Sequence, residues 1–130
     1  GTGLAIHGSD VVSVSIDEDA LKAIEALQRP GNPDLLVRIV GLFKTETPKA
    51  LASMVEGIDS MDMEVVRVAA HTVKSSSAYI GALELSERCK QLERAAHDQN
   101  FPACIALGDG VEDIFADSCL ALDQRMSKAA

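Results

Sequence analysis

The chain has 130 residues and a mass of 13.8 kDa, enough to remove roughly two thirds of its unfolded surface from water around one core. Apolar residues make up 47% of it and charged residues 25%, the balance of a globular domain and not of a disordered chain. Acids outnumber bases 20 to 12, giving a net charge of −8, and this excludes a nucleic-acid partner, whose phosphates need a basic face.

Residues 1–14 are rich in Gly, Ser and Thr and lack periodicity, so they read as a linker or N-terminal arm; residues 15–130 read as one helical domain. Val11, Val12, Val14 and Ile16 are apolar enough to lie against that domain. Ser15 is a good N-cap, with Asp17, Glu18 and Asp19 well placed against the helix dipole. Ile16, Ala20, Ile24 and Leu27 then recur at helical spacing until Pro30-Gly31-Asn32-Pro33 breaks the pattern. A second helix is expected from about Asp34 to Gly57. Its apolar face is Leu35, Leu36, Ile39, Val40, Leu42 and Phe43, continued by Leu51, Met54, Val55 and Ile58. Pro48 falls inside this span, where a proline kinks or divides a helix. The third helix covers about Asp62 to Ile80, and the fourth about Ala82 to Gln99, with Leu85, Cys89, Leu92 and Ala96 in a row. Asn100-Phe101-Pro102 opens a last helix that carries Leu107, Val111, Ile114, Phe115 and Leu122 to about Met126. Gly108 and Gly110 weaken it by roughly 1 kcal/mol each relative to Ala. No strand pattern or repeat intervenes. The expected fold is all-α, an antiparallel four-helix bundle with an additional short N-terminal helix.

Uncharged stretches run to only about ten residues, against the ~20 that cross a bilayer, so no membrane contact is expected of this domain. No basic-then-apolar leader opens the chain, and Gly1 in place of Met suggests a fragment of something longer. Four aromatics (Phe43, Tyr79, Phe101 and Phe115) and no Trp make a poor platform for stacking bases. Cys89, Cys104 and Cys119 are odd in number and form no CxxC, which fits free thiols in a reducing compartment.

Phosphate loops, HExxH and nucleophile elbows are absent. His7 lies in the arm and His97 near a helix end, where a histidine is ordinarily just solvated. His71 stands in a different setting. At 100° per residue, Val66, Ala69, Val73, Ser76 and Ile80 cluster within about 40° of the direction opposite it and form the core face. Arg67, Lys74, Ser75 and Ala78 lie within about 60° of His71 itself. The imidazole therefore points to solvent between two cations and small side chains. From Val65 to Arg94 there are five bases and three acids, a local +2, which leaves −10 for the rest of the chain. A positive stretch around an exposed imidazole suits a phosphoryl group. On this geometry alone an ordinary solvated histidine and a working one are both open. A metal site is not, because no second His, Cys or acid stands three or four positions on.

The run Ala70-His71-Thr72-Val73-Lys74-Ser75-Ser76-Ser77-Ala78-Tyr79-Ile80-Gly81-Ala82 resembles the signature of histidine-containing phosphotransfer (HPt) domains. That signature has a His, a Lys three residues on, a run of small residues, and a Gly-Ala closing the helix. The Leu-rich second helix with its internal Pro and the row after the signature extend the resemblance over nearly the whole chain. Two positions depart from it: Ser75 stands where Gly usually follows the Lys, and Tyr79 where Asn is frequent. The resemblance implies a phosphocarrier, not a stand-alone catalyst, whose His71 takes a phosphoryl group from a receiver aspartate and passes it to another receiver. It makes Lys74 the charge partner and puts Glu93 where a polar side chain reaches toward the imidazole; Arg67, on the same helical face, is placed in support by the helix geometry. Ser75, Ala78 and Gly81 become supporting or docking positions. No cofactor is implied; Mg²⁺ is expected to come with the receiver. The implied setting is a cytoplasmic, monomeric module, C-terminal in a hybrid sensor histidine kinase. The alternative is a helical docking domain that binds a receiver or kinase without moving phosphate.

Overall fold

The computed structural model describes residues 14–31 and 34–129, and every regular element among them is helical. There are six: α1 (Glu18–Glu25), α2 (Leu35–Asp59), α3 (Met63–Tyr79), α4 (Leu83–His97), α5 (Phe101–Gly108) and α6 (Val111–Ala129). The long helices α2, α3 and α4 follow one another through short connections, and α5 and α6 together occupy the fourth position, packing on both α4 and α2. α1 is the short additional helix, laid against α2. Leu51, Met54, Val66, Val73, Leu85, Leu92, Val111 and Leu122, all buried, supply the centre of one continuous core.

Five local expectations change. Asp17, not Ser15, caps α1, its carboxylate accepting from the Asp19 N–H at 3.2 Å. Ser15 is engaged elsewhere: its backbone N–H donates to Glu84 Oε1 at 3.2 Å and holds the entering chain against α4. α1 stops at Glu25, which leaves Leu27 61% exposed. Ile16 does pack against the core, whereas Val11 and Val12 lie outside the described residues. Next, α2 is not divided at Pro48. The proline sits on the exposed side, and burial of Leu51 and Met54 beyond it holds the second half of the helix in the core. Leu42, expected in the core, is 60% exposed. Finally, the last helix is two helices. Asn100 caps α5 by accepting from the Ala103 N–H, and the chain breaks at Asp109-Gly110, where Gly110 adopts φ +82°. That left-handed backbone is inexpensive only for glycine.

The turn between α3 and α4 is a structural joint. Gly81 has φ +83°, is buried, and its carbonyl accepts from the Asp17 N–H at 2.9 Å. A Cβ placed on it would lie 2.8 Å from the Asp17 carbonyl oxygen. Arg125 of α6 fastens α1 from the other end through ion pairs with Glu18 and Glu25 at 3.0 and 3.1 Å. The short N-terminal helix is thus tied both to the α3–α4 turn and to the C-terminal helix.

Candidate functional site

α3 and α4 pack on each other more extensively than any other pair of elements, and the site lies along their exposed seam. Met63, Val66, Ala69, Ala70, Val73 and Ser77 turn inward from α3. Ser77 takes the inward place expected for Ser76, which is exposed; the Ser77 hydroxyl is buried without a hydrogen-bond partner. Opposite that face His71 stands out, with 59% of its side chain exposed. The helix is anchored at its start by Asp62, which accepts from the Val65 N–H. Alongside the site, the Ser86 hydroxyl of α4 donates to the Lys74 carbonyl at 2.9 Å. These bonds fix the register of α4 against the His71 turn.

Glu93, on α4, is the hinge of the arrangement. Its Oε2 lies 3.0 Å from His71 Nδ1 and its Oε1 lies 2.7 Å from Lys74 Nζ. One carboxylate therefore joins both residues of the α3 face, with only 21% of its side chain exposed. The Lys74 ammonium, and then the His71 ring, hold the Glu93 carboxyl below the usual carboxylate range. Its folded-state value is the lower one, so Glu93 adds stability above the unfolded-state range, and that contribution is lost as pH falls through the lowered value. The pair is partly solvated, which limits the contribution to about 1 kcal/mol. The expected outcome is that Glu93→Gln lowers urea stability by this amount at pH 7 and by a vanishing amount near pH 3. An equal loss at both pH values would contradict the ion pair.

Arg67 is on the expected face but already engaged. Its guanidinium is paired twice with Glu64, one turn back, at 3.0 and 2.6 Å, which draws the Glu64 carboxyl downward. This spacing of three was legible in the sequence and reduces what Arg67 can offer an incoming anion. Ser75 and Ala78 are both exposed on the His71 side. Gly81 is not on that surface; it is buried in the α1 joint, so it supports the site through the fold. His97 closes the row along α4 that holds exposed Lys90 and Arg94 and half-buried Glu93. With Arg67, Lys74, Ala103 and Leu107 these residues border a shallow groove of about 690 Å³. Beyond Thr72, an apolar cleft of about 270 Å³ opens between α2 and α3, bordered by Ile39, Leu42, Tyr79 and Ile80. Leu42 borders this cleft because it lies about 120° around α2 from the buried face of Leu36, Val40 and Phe43.

Among the described residues no three His, Cys, Asp or Glu side chains converge to hold a metal ion, and no helix is long and apolar enough to cross a membrane. Cys89, Cys104 and Cys119 are free thiols. Burial pushes Cys89 up to about 12, so it sits in the core as a small apolar group.

The fold and the site define a class: a helical bundle that displays a single histidine, backed by a carboxylate and a lysine, on the open face of two packed helices. Residues 38–128 match the model of the Hpt domain family, and the chain belongs to it. Histidine-containing phosphotransfer protein 5 of Arabidopsis thaliana is 26% identical over 91 residues, which are 68% of this chain and 58% of that protein. Histidine-containing phosphotransfer protein 1 of the same plant is 29% identical over 83 residues, 62% of this chain and 54% of that protein. The chain thus spans little more than half the length of either relative. In fold it is similar to the crystal structure of histidine-containing phosphotransfer protein B from Pseudomonas aeruginosa. That match has a TM-score of 0.79 at 22% identity and covers 89% of this chain and 97% of that one.

Proposed function

We propose that the chain carries phosphoryl groups in a multistep phosphorelay, taking them from a receiver aspartate onto His71 and handing them to a second receiver. The observation that carries this reading is the contact between His71 Nδ1 and Glu93. In the neutral ring, a carboxylate at Nδ1 selects the tautomer with its proton on Nδ1. Nε2 then holds the lone pair on the exposed side. That lone pair attacks the phosphorus of the aspartyl phosphate in line. The Nε2–P bond forms, the P–O bond to the receiver carboxyl breaks, and its electron pair stays on the aspartate. No proton moves, and the ring becomes cationic next to Glu93.

Lys74 offsets charge on the transferring group, and any divalent ion in the reaction is brought by the receiver. Small side chains at Ser75 and Ala78 leave room for the partner's surface beside the imidazole. Free thiols suit a reducing compartment, and membership of the Hpt family suits one module of a cytoplasmic sensor kinase pathway.

The test is transfer from a phosphorylated receiver. The label on this chain should be acid-labile and alkali-stable, as a phosphoramidate is; a label with the stability of a serine ester would contradict the reading. Lys74→Ala should fold normally and slow single-turnover transfer by about ten- to a hundredfold, less than the loss of a fully buried donor because water and salt screen it. A transfer rate equal to wild type would confine Lys74 to its pair with Glu93.

A further inference from the structure

We infer that Glu93 sets how readily the phosphoryl group leaves His71, by holding the proton on Nδ1 of the phosphorylated ring. This rests on the function proposed above and concerns what happens after the group has arrived.

Departure of the group depends on what the ring becomes when it goes. With a proton on Nδ1, cleavage of the Nε2–P bond returns its electron pair to Nε2 and releases a neutral imidazole. Without that proton the same cleavage must release an imidazolate, a far poorer leaving group, and the phosphoryl group is retained. The residue at Nδ1 therefore governs the fraction of carrier that can pass the group on. In this chain that residue is an anion, 3.0 Å from Nδ1. A charged acceptor favours the protonated, cationic ring more than a neutral acceptor in the same place would.

The surroundings make Glu93 the group that matters. From α3, Lys74 shares its carboxylate and Arg67 is paired with Glu64; both are cations that disfavour a charged ring. Along α4 the groove is bordered by Glu87, Lys90, Arg94, His97 and Asp98, and α5 contributes only Ala103 and Leu107 to it. From α2, Glu46 lies across the neighbouring cleft. Among the described residues, Glu93 is the one anion bonded to the imidazole. Lys74 on its other oxygen keeps it ionised, so the proton on Nδ1 is held by a full negative charge at neutral pH.

Glu93 is a positioning residue in this scheme, since it acts through the ring and not on phosphorus. Glu93→Gln keeps the shape and an amide oxygen that can accept from Nδ1–H, and removes only the charge. The domain can be loaded without a receiver by potassium phosphoramidate, whose own P–N bond breaks to release ammonia as the Nε2–P bond forms. Decay of the phosphohistidine is then followed by ³¹P NMR from pH 5 to 9. The expected result is a half-life at pH 7.5 up to about tenfold longer in Glu93→Gln, with the pH midpoint of loss lowered by up to about one unit. Glu93→Asp, which keeps the charge one methylene back, should keep a midpoint near wild type. Equal half-lives and midpoints in wild type and Glu93→Gln would overturn the inference while leaving His71 as the acceptor. Glu93→Asp matching Glu93→Gln would assign the effect to geometry and overturn it as well. Wild-type protein that takes no label on His71 would overturn the acceptor assignment and this inference together.

Discussion

His71→Gln should leave the bundle folded and abolish its ability to carry phosphate. The side chain is mostly exposed and lies opposite the inward face of α3, so its replacement creates no cavity and strands no buried charge. It removes the hydrogen bond between the imidazole and Glu93, whose carboxylate keeps its pair with Lys74. Surface changes of this kind stay within about 0.5 kcal/mol. The neighbouring hydroxyls of Ser75 and Ser76 are exposed on the same helix, but a serine needs an adjacent base to become a nucleophile, and the Ser76 hydroxyl donates to the Val73 carbonyl. Circular dichroism and urea titration should overlay on wild type, while transfer from a phosphorylated receiver falls to background. Label that persists in this variant would place the acceptor elsewhere.

Gly81→Ala should give a large loss of stability, about 2–4 kcal/mol, from a single added methyl group. Alanine in the left-handed region costs of order 1 kcal/mol. The new Cβ would also meet the Asp17 carbonyl oxygen at 2.8 Å and the Ala20 Cβ at 3.2 Å. Backbone must move to relieve the first of these, and the Asp17 N–H bond to the Gly81 carbonyl moves with it. Hydrogen exchange should therefore show α1 opening first, ahead of the α2–α4 core. Gly41→Ala is the matched control. Gly41 lies within α2 with nothing within 4 Å of its added Cβ, so alanine there should stabilise by up to about 1 kcal/mol. Equal urea midpoints for Gly81→Ala and wild type would contradict the joint.

Both predictions draw on residues that the sequence singles out, and the physical reasons differ. His71 was legible because a helix has one period, so Val66, Ala69 and Val73 together assign its direction to solvent. Gly81 was legible as a residue closing α3, but its bond with Asp17 is a pairing across 64 positions that no local pattern carries. Pro48 shows the reverse: a strong local signal for a break is overridden by the burial of Leu51 and Met54. Leu42 and Ser77 both obey the helical period once the stripe is centred on the residues that are buried. Leu42 lies about 120° around α2 from the face of Leu36, Val40 and Phe43, and Ser77 lies near the middle of the face of Met63, Ala70 and Val73, which is not directly opposite His71. Glu93 lay in an ordinary exposed charge pattern on α4. Only the resemblance pointed to it, because its two partners are on a different helix.

The proposed phosphocarrier role turns on the chemical state of one ring. Loading uniformly ¹⁵N-labelled protein with phosphate and recording the His71 ring by ³¹P and ¹⁵N NMR tests this directly. The expected result is a single phosphoryl group, coupled to Nε2 of His71, with the Nδ1 proton retained and protected from exchange by Glu93. A phosphoryl group on Nδ1, on a serine of the Ser75-Ser76-Ser77 run, or on no residue of the chain would contradict it.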